Sequence, residues 1–429
     1  MNRTARYVVL PLLGVLLFIS RPGLAETDAR EIYRQNEARV IVLRTHFNDR
    51  PLGNGSAFVA EYQSHKYLIT NYHVISHAQI YVETAGSRID DLSVLHVSEQ
   101  RDIAILTFPG IERLGAVPLS TYEPEQGERV FAMGFPFVPG TQDVSLTITD
   151  GLVSNRSLVV NRFGEDTRYI QISAALNGGN SGGPVFGQEG RFIGMATGVF
   201  RDMQATNVAV PAAQIIEEIG RIQERPVSEE EATLRLRSRF DFISSVVRAG
   251  EIFRFGSFYS PNYKLHLYPE VLEHASRVYK AHQMAASRGY GSFDQVLAAV
   301  DPILTDDELM YYLMIVDYYR IVRPQQDLAE VIFRTSMLPS TASEFYLSGR
   351  FYYLMHQQAH PPEGQQLRYQ SYTLDRIEYD TDLLNARANI TVHMEHGSFP
   401  IELRFRYEWG NWFLMPSYDY PAGPESGNN

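Results

Sequence analysis

Gly178-Gly179-Asn180-Ser181-Gly182-Gly183-Pro184 is the stretch best suited to covalent chemistry: a serine in a glycine-rich turn, directly ahead of the apolar pair Val185-Phe186. A nucleophilic serine needs such a turn, because its backbone must approach the substrate and its N–H groups must face the oxyanion that forms when a carbonyl is attacked. The N–H groups of Gly179 and Ser181 are the natural donor pair. A glycine-rich turn holding a serine is by itself more often only a turn, so the chemistry requires partners. A serine hydroxyl is a weak nucleophile near neutral pH and needs a base that titrates there, usually histidine. Among 12 histidines, His73 is the best placed, in Thr70-Asn71-Tyr72-His73-Val74-Ile75 behind the apolar run Tyr67-Leu68-Ile69, where a strand end would fix the imidazole. A third group must hold the imidazole tautomer, and Asp102 stands beside the apolar strand Ile103-Ala104-Ile105-Leu106. Taken singly, a histidine is more often a surface or satisfied core residue and an aspartate a turn cap, so the set of three carries the reading.

Those three residues lie in a region of short strands. From Arg39 to Pro211 the chain alternates apolar runs such as Val40 to Leu43, Ser56 to Ala60, Ile103 to Thr107 and Arg191 to Thr197 with Gly, Pro, Asn and Asp punctuation, which predicts an all-β barrel or sandwich. Ile215, Ile219 and Ile222 then recur at helical spacing behind Pro211. Beyond Arg225-Pro226 the pattern changes. Ser228-Glu229-Glu230-Glu231 reads as a capping box opening a helix through about Arg254, and helical patterns follow at Tyr268 to Arg288, Thr305 to Val322 and Ser340 to Gln358. Tyr372 to Tyr379, Ala388 to His396 and Ile401 to Tyr407 alternate as strands, with a tight hairpin expected at Gly410-Asn411. The expectation is a multi-domain chain: residues 26–225 all-β, and residues 226–429 an α+β domain of helices followed by an antiparallel meander.

The order His73, Asp102, Ser181 resembles the trypsin-like serine proteases, and more closely their HtrA (Do-like) branch. Ile170-Gln171-Ile172-Ser173-Ala174-Ala175-Leu176-Asn177 resembles that family's approach to its nucleophile, Gly134-Phe135-Pro136-Phe137 its Gly-x-Pro-Phe stretch, and Gly151-Leu152-Val153-Ser154 follows in register. The resemblance covers roughly Ser56 to Ile222. It implies a double β-barrel and endopeptidase activity on protein or peptide substrates through an acyl-enzyme, and it leaves homo-oligomerisation open. It also implies a primary specificity pocket floored by Ala175, flanked by Leu176 and walled by Ala196, Thr197 and Gly198, suited to small or medium aliphatic side chains. Two residues depart from the pattern. Gly178 replaces the usual Pro, which loosens the oxyanion loop, and Ser173 replaces the usual Asp. The second domain has no PDZ-like carboxylate-binding loop, and its end is weakly similar to the cone-shaped SnoaL-like folds, which name no function.

Composition excludes other classes. A net charge of −12 and the absence of any basic run argue against nucleic acid as a partner. With no cysteine, disulfides, thiolate catalysis and Cys-ligated zinc are ruled out. Arg3 and Arg6 ahead of the apolar run Tyr7 to Ile19, then Gly23-Leu24-Ala25, read as a signal peptide over residues 1–25. That run is shorter than the roughly 20 residues a spanning helix needs, so the reading is a periplasmic or secreted protein without stable membrane insertion after cleavage. His356 and His360, like His73 and His77, are spaced as zinc ligands but lack the Glu of a metalloprotease helix, so neither metal nor cofactor is expected. The aromatic groups Tyr311-Tyr312, Tyr318-Tyr319 and Phe351-Tyr352-Tyr353 read as core rather than ligand pocket.

Overall fold

Strand β7 (Ile103–Thr107) is buried at four consecutive positions because it is covered on both faces. Ile103 and Ile105 face the second half of the domain, whereas Ala104 and Leu106 face the core of the first. This follows from the period of two along a strand, and it makes β7 a wall between two cores. A computed structural model describes residues 28–47, 50–76, 79–84, 86–136, 144–162, 165–197, 207–222, 225–248, 252–264, 347–348, 369–395 and 397–415.

In the first half, β1 (Val40–Phe47), β2 (Arg50–Tyr62), β3 (His65–Thr70), β4 (Gln79–Thr84), β5 (Ser87–Ile89) and β6 (Ser93–Ser98) join β7 in the order β5-β4-β1-β2-β3-β7-β6, with β8 (Val117–Pro118) parallel to β2. In the second, β9 (Arg129–Gly134), β10 (Thr147–Arg162), β11 (Glu165–Ile172), β12 (Pro184–Gly187), β13 (Phe192–Thr197) and β14 (Asn207–Pro211) close into a six-stranded barrel, β10-β11-β14-β13-β12-β9, whose ends pair. Phe58, Ile69 and Ile105 from the first half meet Phe131, Phe186 and Met195 from the second in one shared cluster. Helix α1 (Ala29–Asn36), which the sequence reading omitted, is capped by the Asp28 side chain on the Arg30 N–H and buries Ile32 in that cluster. The one-turn helix α2 (Tyr72–Ile75) follows β3, and α3 (Ala212–Ile219) follows β14 with Pro211 as its N-cap and Ile215 and Ile219 inward.

In the C-terminal domain, α4 spans Glu229–Arg248, and the expected helix end, Arg254, lies in a 3-10 turn, Ile252–Phe258. Its capping is reciprocal but shifted: Ser228 Oγ accepts from the Glu231 N–H, and Glu231 Oε2 accepts from the N–H of Val227 rather than of Ser228. Strands β15 (Tyr369–Tyr379), β16 (Asn385–Met394), β17 (Gly397–Glu408) and β18 (Asn411–Met415) form the antiparallel meander, and Phe240 of α4 packs between Tyr372 and Phe405 on its face. The final hairpin turns one residue earlier than expected. Glu408 pairs with Asn411, so Trp409 and Gly410 are the turn residues, both at positive φ (53° and 71°). The Trp409 side chain accounts for the shift, since its ring packs edge-on against Phe413 and joins the core of the first sheet. The leader over residues 1–25, the helical patterns at 268–288 and 305–322, nearly all of that at 340–358, His77, His356, His360 and the three aromatic groups lie outside the described residues.

Candidate active site

Helix α2 carries His73, and a left-handed turn after β6 carries Asp102. Asp102 has φ +58°, a conformation that Asp tolerates better than most residues. Its backbone carbonyl accepts from Asn71 Nδ2 at 2.8 Å, so the N-cap residue of α2 ties the helix start to this turn. The Asp102 carboxylate is buried and accepts three hydrogen bonds: Oδ1 from the His73 backbone N–H at 3.0 Å, and Oδ2 from His73 Nδ1 at 2.8 Å and from Thr197 Oγ1 at 2.7 Å. The His73 side chain remains 47% exposed, against 3% for that of Asp102. One carboxylate thus grips both the backbone and the ring of the histidine, which fixes the tautomer with the proton on Nδ1 and leaves Nε2 as the basic atom.

Ser181 belongs to the second half but is held by the first. The Ser56 N–H donates to the Ser181 carbonyl at 2.8 Å, and Ser56 Oγ donates to the Gly179 carbonyl at 2.7 Å while accepting from the Phe135 N–H at 2.9 Å. Thr70 Oγ1, three residues before His73, donates to the Ser56 carbonyl at 2.7 Å. Two glycines permit this closeness. A Cβ on Gly182, at φ +89°, would lie 2.0 Å from Ser56 O, and one on Gly134 would lie 2.8 Å from Ser56 Oγ. Gly178, by contrast, has open space around it and no positive φ. Among the described residues, neither the Gly179 nor the Ser181 N–H donates to a backbone acceptor. No hydrogen bond joins Ser181 to His73 among the described residues; nucleophile–base contacts are often loose in a free enzyme and tighten when substrate binds.

Of the residues assigned to a specificity pocket, Ala175 is exposed with its carbonyl held by Thr149 Oγ1 at 2.9 Å, whereas Leu176 and Ala196 are buried in the core of the second barrel. Thr197 directs its hydroxyl at Asp102, and Gly198 lies outside the described residues. Ser173, which replaces the family's Asp, brackets Leu152: its N–H donates to the Leu152 carbonyl and its Oγ accepts from the Leu152 N–H. Sequence reasoning missed Ser56 and the role of Thr197. The available signal was a polar residue at the edge of a wholly apolar run, Ser56 before Ala57-Phe58-Val59 and Thr197 after Phe192 to Ala196. Next to Asp102, Arg101 pairs with Glu217 at 2.6 Å and Glu218 at 3.2 Å, and His96 Nε2 lies 2.8 Å from Glu218. Burial alone would raise the Glu218 carboxyl, but the hydrogen bond from His96 and the charges of Arg221, His96 and Arg101 hold it below its ordinary value. Among the described residues no cluster of three or more His, Asp or Glu side chains is arranged to hold a metal, and no helix is long and apolar enough to cross a membrane.

Residues 55–195 match the family described as trypsin-like peptidase domain. The chain is 33% identical over 165 residues to the chloroplastic Protease Do-like 1 of Arabidopsis thaliana, a match covering 37% of this chain and 36% of that protein. It is 31% identical over 229 residues to a probable periplasmic serine endoprotease, DegP-like, of Bartonella henselae, covering 47% of this chain and 42% of the relative. The chain therefore spans less than half the length of these relatives. A solved serine endoprotease from Yersinia pestis superposes with a TM-score of 0.38 at 24% identity, over 46% of this chain and 66% of that one.

Proposed function

With residues 55–195 forming a trypsin-like peptidase domain similar to the HtrA branch, we propose that the chain is an exported serine endopeptidase, periplasmic or secreted, acting on protein or peptide substrates. Ser181 Oγ attacks the scissile carbonyl carbon while His73 Nε2 takes its proton, and the resulting oxyanion is received by the N–H groups of Gly179 and Ser181. Collapse breaks the C–N bond, His73 returns the proton to the leaving amine, and the acyl group stays on Ser181. Water, deprotonated by the same imidazole, then releases the acid and regenerates the serine. Asp102 keeps its negative charge throughout and stabilises the imidazolium. If Ala175 floors the primary pocket, as the family resemblance implies, cleavage falls after small or medium aliphatic residues rather than Lys or Arg.

The supporting observation is the buried Asp102 carboxylate, which takes both hydrogen-bond donors of a half-exposed His73 and holds it on the element joined through Thr70 and Ser56 to the Ser181 turn. The test is labelling of the full chain with a fluorophosphonate. Wild type should label, Ser181→Ala should not, and His73→Ala should slow by about 10²- to 10⁴-fold, the usual contribution of a general base. A wild type that stays unlabelled, alone and with unfolded protein present, would make the chain an idle protease-fold binding protein.

A further inference from the structure

The C-terminal domain reaches the segments that carry His73 and Asp102 through a buried ion pair. Arg239 of α4 donates from Nη1 to Glu99 Oε2 at 2.5 Å, and both side chains are almost wholly buried, at 3% and 1% exposure. Glu99 lies three residues before Asp102 in the same turn, and its other oxygen accepts from the Tyr72 hydroxyl at 3.2 Å. The two acidic residues of one turn therefore hold two consecutive residues of α2: Glu99 the side chain of Tyr72, and Asp102 the backbone and ring of His73. The guanidinium lies over the rings of Phe242, Phe258 and Phe413 at 5.0–5.6 Å. Phe413 of β18 is itself wholly buried in the core of the first sheet, so the C-terminal meander supplies part of the packing behind β7.

Stability alone accounts poorly for this arrangement. Burying two charges costs solvation that their attraction only partly returns, and apolar replacements of such pairs are often as stable or more so. Among the described residues, Arg239 Nε and Nη2 are also buried without a hydrogen-bond partner, which adds to the cost. What the pair supplies is direction, because a planar guanidinium fixes one carboxylate oxygen while leaving the other aimed at Tyr72.

We propose that the C-terminal domain is a positioning element for the active site, with Arg239 acting through Glu99 to hold the turn of Asp102 and the helix of His73 in register. Arg239 is a positioning residue that touches no reacting atom, and the inference rests on the protease reading above. Hydrogen–deuterium exchange and fluorophosphonate labelling of the full chain, in wild type, Arg239→Met, Arg239→Lys and Tyr72→Phe, test it. In Arg239→Met, exchange should rise about tenfold or more in peptides covering 71–76 and 99–104 while β9 and β12 keep wild-type protection, and labelling should slow about tenfold. Arg239→Lys, which keeps the charge but not the planar guanidinium, should label at a rate between those of Arg239→Met and wild type. Unchanged exchange in both peptides, or a uniform rise across the chain, would overturn the proposal in favour of an ordinary stability contact. If Arg239→Met does not fold, Tyr72→Phe, which removes only the hydroxyl reaching Glu99, decides by the same local criterion. If wild type does not label, the protease reading fails, and exchange at residues 71–76 and 99–104 still decides whether Arg239 orders them.

Discussion

Replacing Thr197 by Val removes one hydroxyl and nothing else of size, and the structure determines how that loss should divide between stability and rate. Thr197 Oγ1 donates at 2.7 Å to Asp102 Oδ2, inside a site where both residues are buried. A hydrogen bond to a charged acceptor contributes about 1.5–3 kcal/mol, and Val removes that donor while the one from His73 Nδ1 stays. On the proposed mechanism the carboxylate stays charged in both the resting state and the transition state, so the lost donor weakens both by similar amounts and most of the loss appears in stability rather than in the barrier. Thr197→Val should therefore lower the melting temperature by about 3–12 °C, at roughly 2–4 °C per kcal/mol for a domain of this size, and slow fluorophosphonate labelling less than tenfold. Thr197→Ser, which keeps the donor, should match wild type in both. Scanning calorimetry and labelling rates at pH 7 give the two readings. A Val variant that melts with wild type would refute the hydrogen bond's role. One that labels a hundredfold slower while the Ser variant does not would refute the similar weakening of the two states.

Four further outcomes follow from the same geometry. Gly182→Ala puts a methyl 2.0 Å from Ser56 O and 2.4 Å from Thr70 Oγ1 at φ +89°; labelling should vanish, and unfolding free energy from urea titration should drop by about 1–3 kcal/mol or more, the cost of ordinary overpacking. Gly178→Ala meets nothing within 4 Å and should raise stability by about 0.4–1 kcal/mol without slowing labelling, because it restricts the unfolded chain. Glu218 has a folded carboxyl value below its ordinary 4.5, so its stabilising contribution is complete above that pH and is lost as pH falls from about 4.5 through the lower folded value; urea midpoints of Glu218→Gln should be flatter than wild type in that range. Phe413→Ala empties a wholly buried site in the first sheet's core and should cost about 3–5 kcal/mol of unfolding free energy in a denaturant titration, whereas an unmoved midpoint would mean that β18 does not dock there.

The strands were legible wherever burial is one-sided or complete. Ile103–Thr107 was delimited to the residue, and Tyr67-Leu68-Ile69 lies inside β3, because runs of β-branched and apolar residues ending at a polar turn have few other ways to be satisfied. The turn at Trp409-Gly410 was displaced by one residue because glycine marks only that positive φ is needed somewhere; which neighbour shares it depends on where the Trp409 ring packs. His73, Asp102 and Ser181 are proposed from their sequence neighbourhoods. Ser56 could not be, because it bridges two halves of the domain, with partners 79 and 123 residues away.

Arg239 marks where such reading stops. Ala232, Leu236, Phe240, Ile243 and Val246 form the buried stripe of α4, and Arg239 lies within it, three residues after Leu236 and four before Ile243. A charged residue at a stripe position is a visible anomaly, since burial without a partner would cost far more than any packing it provides. The anomaly requires an anion within reach and says nothing of which. Glu99 is 140 positions away and reads as an ordinary turn residue, because nothing in its sequence neighbourhood marks it as buried against Arg239. Each charge is thus legible as half of a pair, and only the docking of β18 and α4 on the first sheet makes the pair.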